Sequence, residues 1–298
     1  MGVTLLDGGV GQELLARAGG EAGSLWATRV LRERPGLLHA VHADYFAAGA
    51  DVATTNTYAI HRDRLAPAGL GHLFEPLHAA ALAEAHAARA AHGKGRIAGS
   101  IGPLAASYRP DLHPDHDIAV PLYAEVLRML APAVDLLLFE TVASLAQARA
   151  ACAAVEAVGT ERPVWLSVTL DDEDGRLLRS GERVAELLPC IAQAPVAALL
   201  ANCAAPEAMP AALEVLARPG RPFGAYANAF SRTTKAYLAG DAERDGGRDM
   251  GPERYADHAM GWVGQGATIV GGCCEAGPAH VAALAARLRA AGLRDRES

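Results

Sequence analysis

The sequence predicts an α/β fold of one kind, a single (β/α)8 TIM barrel, and three observations carry that expectation. Eight short runs rich in apolar and β-branched residues alternate with eight segments of helical period. Most of the runs are apolar at consecutive positions, the pattern of strands buried on both faces of a parallel sheet. The chain has 298 residues, within the ordinary span of one such barrel, so residues 1–298 are expected to form one domain.

The strand-like runs are 3–6, 51–56, 96–100, 135–140, 164–170, 197–202, 224–227 and 268–272. The helical segments between and after them are 35–48, 76–91, 117–131, 144–158, 183–191, 207–216, 252–263 and 278–291. Several open with Pro or Ser, which suit a first helical turn or its cap. Ser144 is the expected N-cap of the segment that carries Leu145, Ala148 and Cys152. A doubly wound dinucleotide fold would need G-x-G-x-x-G after its first strand. Asp7-Gly8-Gly9-Val10-Gly11 lacks that spacing, and no clear acid follows a second strand to hold a ribose.

Composition excludes several classes. At 51% hydrophobic the chain buries too much to be disordered. Its 27 basic and 34 acidic side chains leave a net charge of −7, which gives no general attraction to nucleic acid or to an anionic membrane. Residues 1–7 lack a basic segment followed by an apolar one, so no signal peptide is expected. The longest uncharged run, 187–206, is interrupted by Pro189 and Pro195 and fails as a membrane span. Five cysteines are an odd and scattered count for a disulfide framework, and a reducing cytoplasm is the expected location.

The residues just past each strand-like run carry the functional signal. They include Asp7-Gly8, Asn56, Glu140-Thr141, Asn202-Cys203, Asn228 and Cys273-Cys274. In a barrel all these ends meet on the face where active sites are built. Cys203, Cys273 and Cys274 together are candidate metal ligands. Neighbours in a regular strand point to opposite faces, so Cys273 and Cys274 reach one ion only where the strand ends and the chain turns, and Gly271-Gly272 supplies the freedom to turn. Three thiolates with an open fourth position describe a catalytic zinc site; a structural site would have four protein ligands. A strained vicinal disulfide between Cys273 and Cys274 is the competing arrangement. Cys152 and Cys190 are expected to be core residues.

The remaining candidates each have two readings. Glu140 is an ammonium partner or an acid favoured by the next helix dipole. Asp7 is a substrate ligand or a turn former. Asn202 and Asn228 orient a ligand or are satisfied by nearby backbone. His39, His42, His78, His86 and His92 read as surface residues on helices. His113 and His116, with Asp111, Asp115 and Asp117, read as a solvated loop or a second metal site. Residues 240–251 read as a flap over the site or as plain disorder.

Leu6-Asp7-Gly8-Gly9, residues 49–58, Gly99-Ser100-Ile101-Gly102-Pro103, Phe139-Glu140-Thr141, Asn202-Cys203 and Gly271-Gly272-Cys273-Cys274 resemble the homocysteine S-methyltransferase family. The resemblance runs from about residue 3 to residue 291. Ser24-Leu25-Trp26 looks like the branch that uses S-methylmethionine or S-adenosylmethionine. The resemblance implies a (β/α)8 barrel in which Cys203, Cys273 and Cys274 hold zinc. It also implies that Glu140 binds the substrate amino group and that the Asp7-Gly8 turn binds its carboxylate end. Glu275-Ala276-Gly277 replaces the family's Arg-Thr-Thr, and Ala227 stands where Pro is common before the strand-seven Asn. These departures surround the substrate pocket and leave the metal ligands intact.

The implied reaction is methyl transfer from a cationic donor to homocysteine, giving methionine. The rivals are a different donor, betaine or methyltetrahydrofolate, a different thiol acceptor, or a zinc protein that captures thiols without turnover. The expected partners are small molecules alone. The sequence leaves the oligomeric state open.

Overall fold

The computed structural model describes residues 2–19, 25–230 and 250–294. Ser24 and residues 240–249 of the expected flap lie outside them. Among the described residues eight strands form: β1 (Thr4–Leu5), β2 (Val52–Thr54), β3 (Arg96–Ile101), β4 (Leu136–Val142), β5 (Val164–Thr169), β6 (Val196–Asn202), β7 (Phe223–Tyr226) and β8 (Ile269–Val270). All pair in parallel, in the order β1-β8-β7-β6-β5-β4-β3-β2. A parallel bridge between Leu6 and Val52 joins the two ends of that order, with Asp51 N donating to Leu5 O at 2.7 Å. The fold is a single (β/α)8 TIM barrel, and each predicted strand is present.

The expected helical segments appear as Leu37–Ala48, Phe74–His92, His116–Leu130, Leu145–Val158, Leu187–Ile191, Met209–Leu216, Pro252–Gly264 and Pro278–Ala290. Ser144 is the N-cap, its Oγ accepting from Gln147 N at 3.2 Å, which satisfies a donor that a helix start leaves unpaired. Among the described residues three helices were not expected: Val10–Ala18, Trp26–Glu33 and Arg62–Leu65. The first begins directly after Gly8-Gly9, so the turn signal masked the helix behind it.

The apolar side chains divide into two layers. Leu6, Val52, Ala98, Leu138, Leu200 and Tyr226, with their neighbours, fill the barrel interior, and Cys273 packs on that cluster. A larger cluster lies between strands and helices and includes the fully buried Trp262, Tyr45 and Phe74. Burying each such side chain contributes about 1.5–3 kcal/mol.

Two expectations about side chains are corrected. His42 and His78 are completely buried, because the helices that carry them, Leu37–Ala48 and Phe74–His92, pack on each other as well as on the barrel. His78 Nδ1 pairs with Phe74 O at 2.8 Å, whereas neither His42 nitrogen has a hydrogen-bond partner. Burial and nearby His39 push the His42 pKa down to about 3. Cys152 is a core residue as expected. Cys190 is only half-buried, its Sγ donating to Glu186 O at 3.3 Å. Among the described residues no helix is long and apolar enough to cross a membrane.

Candidate metal centre and substrate pocket

The three expected thiols converge. Cys203 follows the last residue of β6 in the left-handed region, φ 57°, a conformation costly for a residue with a Cβ and frequent at functional sites. Cys273 and Cys274 lie past β8 in a turn seated on the end of β7. Cys273 N donates to Ala227 O at 2.8 Å and Ala229 N to Cys274 O at 2.8 Å. Asn228 Oδ1 accepts from Cys274 N at 3.2 Å. Gly8 and Gly272 both press against Ala276, closely enough that a Cβ on either would collide with it. The glycines thus let the strand-one and strand-eight loops touch.

Cys273 Sγ is 3.1 Å from Cys203 Sγ, and Cys274 Sγ is 3.7 Å from it. All three sulfurs lie within 4.8 Å of one another, and none is in a disulfide. Sulfurs about 2.3 Å from a tetrahedral zinc are about 3.8 Å apart, so the cluster fits that ion with little movement. No fourth His, Cys, Asp or Glu joins it among the described residues. The Cys203 thiol is held well below its ordinary pKa range by the S–H groups of Cys273 and Cys274 and by the Tyr108 hydroxyl, against the opposing effect of burial.

The thiols open on a cavity of about 780 Å³. Asp7, Gly8, Glu140 and Asn202 line it as well. Glu140 and Thr141 lie inside β4 rather than past its end, where the pairing with β5 shifts register between Phe139 and Val142. Thr141 is left-handed there, φ 59°. Asn202 fixes this irregularity: its Oδ1 accepts from Thr141 N at 2.9 Å and from Ser167 Oγ at 2.8 Å, while its Nδ2 donates to Thr141 Oγ1 at 3.1 Å. Glu140 therefore owes its direction to a bulge, which re-aims a side chain. Its carboxylate accepts from the hydroxyls of Ser100 and, at 3.0 Å, of Tyr226. Burial pushes its pKa up to about 7, with the two hydroxyl bonds opposing the rise and Cys203 adding to it.

Asp7 is 2% exposed and accepts from Thr54 N at 2.6 Å and from Thr54 Oγ1 at 3.0 Å. It ties β1 to β2, a use that neither turn formation nor ligand binding describes. Burial raises its pKa well above the usual carboxylate range against the Thr54 bonds, and Glu140 raises it further.

One candidate falls outside the cavity. Asn228 does not line it; it braces the Cys274 backbone instead. His113 and His116 belong to no metal-competent group among the described residues, and the His113 ring stacks near Tyr123 with centroids 6.3 Å apart. The strand-end reading also reaches Tyr58, in Asn56-Thr57-Tyr58 after β2, but it missed Thr54, Ser100, Tyr108 and Tyr226; all five are on the cavity wall. Thr54 and Tyr226 end β2 and β7, so the strand-end rule that found Asn56 and Asn228 reaches them with a shift of two residues. No sequence signal marks Tyr108.

A parallel barrel whose C-terminal mouth joins three convergent thiols, able to hold a metal ion, to the carboxyls of Asp7 and Glu140 is the frame of an enzyme of thiol chemistry. A family model described as Homocysteine S-methyltransferase matches residues 4–288. The chain is 32% identical to Homocysteine S-methyltransferase of Escherichia coli (strain K12), over 96% of this chain and 95% of that protein. It is 29% identical to Homocysteine S-methyltransferase YbgG of Bacillus subtilis (strain 168), over 96% and 94% respectively. The crystal structure of the Homocysteine Methyltransferase MmuM from Escherichia coli, in its metallated form, superposes with a TM-score of 0.80 at 30% identity, covering 96% of each chain. The protein belongs to the homocysteine S-methyltransferase family.

Proposed function

We propose that the protein transfers a methyl group from a sulfonium donor, S-methylmethionine or S-adenosylmethionine, to the thiolate of homocysteine, giving methionine. Cys203, Cys273 and Cys274 would hold a zinc ion. The observation that carries this reading is the convergence of three free thiols, without a fourth protein ligand among the described residues, on a cavity also lined by Asp7 and Glu140. Bound zinc supplies deprotonation of the incoming thiol, of which only about 3% is ionised at pH 7 when unperturbed.

The chain's own groups hold the rest of the substrate. Glu140, ionised, is an acceptor for the homocysteine ammonium, and its bonds from Ser100 and Tyr226 fix its direction. The carboxylate end meets Gly8 and the start of helix Val10–Ala18, where Val10, Gly11 and Gln12 line the cavity; a helix start favours an anion. Tyr58, Tyr108 and Tyr226 also line the cavity, and aromatic faces attract a cationic donor. Holding sulfur, methyl carbon and leaving group in line supplies up to about 7–11 kcal/mol of the barrier reduction.

The test is a donor panel. Homocysteine is incubated with the purified protein and S-methylmethionine, S-adenosylmethionine or betaine, each separately, and methionine is measured. Turnover with a sulfonium donor is expected. Turnover with betaine alone would overturn the donor assignment, and tight thiol binding with no methionine from any donor would replace the enzyme with a capture protein.

A further inference from the structure

Four thiolates on one ion, three from the protein and one from the substrate, pose a problem of selectivity, since any of them is a nucleophile toward an electrophilic methyl group. The structure treats the protein thiols unequally. The Tyr108 hydroxyl lies 2.7 Å from Cys203 Sγ. Cys273 Sγ has the Asn202 amide at 3.9 Å, at the edge of contact. Among the described residues no O–H or N–H donor reaches Cys274 Sγ; its partner is Cys203 Sγ at 3.7 Å. A metal-bound Cys203 carries no proton, so between these two atoms the hydroxyl is the donor.

Contacts at its hydroxyl and at its ring hold Tyr108 in place. Its backbone is left-handed, φ 61°, a cost for a bulky residue that persists only where surrounding structure demands it. The Arg179 guanidinium lies 5.5 Å from its ring centroid. Arg179 Nη2 is 3.4 Å from Asp172 Oδ1, and that same oxygen accepts from Ala205 N at 2.8 Å. Ala205 is two residues beyond Cys203. The loops after β3, β5 and β6 thus close a ring of contacts that begins and ends at the Cys203 segment. Tyr58 and residues 105–108 line the same cavity as the thiols, and through Tyr108 Cys203 is the thiol in contact with that stretch of wall.

We infer that Tyr108 is a positioning residue of the metal centre, whose hydroxyl withholds electron density from Cys203 so that the substrate sulfur, and not this ligand, takes the methyl group. The inference rests on the proposed metal-held thiolate chemistry. The side reaction it suppresses is a displacement. Cys203 Sγ would bond to the methyl carbon as the carbon–sulfur bond of the sulfonium breaks, with the electron pair leaving on a neutral thioether. The product, S-methylcysteine, is uncharged, and the centre would lose one anionic ligand. A hydrogen bond to a charged acceptor is stronger than a neutral one, and it stabilises the thiolate in the state that would otherwise react.

The experiment compares zinc-loaded wild-type protein with Tyr108→Phe in dilute iodomethane, where iodide is the leaving group and no donor pocket is required. Methylation of each cysteine is followed by peptide mass spectrometry. Cys203 methylation is expected to rise about three- to tenfold in Tyr108→Phe, with Cys274 changing less than twofold and zinc content unaltered. In cobalt(II)-substituted protein the thiolate-to-metal charge-transfer band is expected at lower energy in the variant. An unchanged ratio of Cys203 to Cys274 methylation would overturn the inference, as would zinc loss with all three cysteines methylated faster, which marks a purely structural role. Wild-type protein that takes up no zinc would instead sink the metal reading itself, whatever Tyr108 does.

Discussion

The Tyr226 hydroxyl donates to Glu140 Oε1 at 3.0 Å, tying the end of β7 to the bulge of β4 across the barrel mouth. The bond favours the ionised carboxylate, so it opposes the effect of burial that pushes the Glu140 pKa up to about 7. Tyr226→Phe should raise that pKa further. The pH above which homocysteine binds well then moves upward, because an ammonium needs the ionised partner. The pH profile of KM for homocysteine measures the shift, and an unmoved profile would separate Glu140 from the amino group.

Glu140 also sets a stability profile. Its folded pKa, about 7, lies above its ordinary value of 4.5. The carboxyl therefore contributes stability that is fully present below pH 4.5 and lost as pH rises through 7. Glu140→Gln should remove this slope and be more stable than wild type at pH 8 by on the order of 2 kcal/mol, while homocysteine KM rises at least about tenfold. Urea titrations at pH 5 and pH 8 check the first expectation. A variant that keeps the wild-type slope would contradict it.

His42 has the opposite sign. Its pKa is pushed down to about 3 from 6.5, so the unfolded chain takes up a proton that the folded one refuses, and stability is lost as pH falls below 6.5. His42→Leu should retain stability between pH 6 and pH 4 that the wild type loses, at about 1.4 kcal/mol per pH unit below the unfolded pKa. Thermal melts across that range give the comparison.

Metal analysis of the wild-type protein should give about one zinc per chain, and Cys273→Ala close to none, since three ligands are the minimum of a zinc site with one open position. Zinc retained in Cys273→Ala would relocate the site.

Asn202→Ala leaves the buried Thr141 N–H and Ser167 hydroxyl without their shared acceptor. A stability loss of about 2–4 kcal/mol is expected, together with a weaker hold on Glu140 that raises KM for homocysteine. Denaturant midpoints and initial rates report the two effects separately. Wild-type kinetics in a destabilised protein would confine Asn202 to folding.

Strand periods, glycine pairs and the residues that end strands were enough to place all eight strands and bring Cys203, Cys273, Cys274, Asp7 and Glu140 to one mouth. Local pattern does not encode what those residues touch. Tyr108 and Cys203 are 95 positions apart and meet through a left-handed turn with no glycine to announce it. Asn228 follows the same strand-end rule as Asn202, yet its side chain turns to the Cys274 backbone and misses the cavity. Asp7 reads as a substrate ligand or a turn former because its partner, Thr54, is 47 residues away. His42 and His78 read as surface because helical period shows one apolar face, whereas two packed surfaces cover their helices.

The seam between β1 and β8 has a consequence for how the chain would acquire the proposed metal. Ala276 O accepts from the Tyr45 hydroxyl at 3.0 Å across 231 positions, and from Gly9 N at 3.0 Å. The turn presenting Cys273 and Cys274 therefore takes its shape from a segment synthesised long before it, and contacts so distant in sequence carry the largest loop-closure cost in folding. A growing polypeptide has no complete thiol cluster to offer a metal until the eighth strand has docked against the first. Uptake of the proposed zinc would then act as a timer for barrel closure: in refolding, zinc should enter with the slowest phase and not ahead of it.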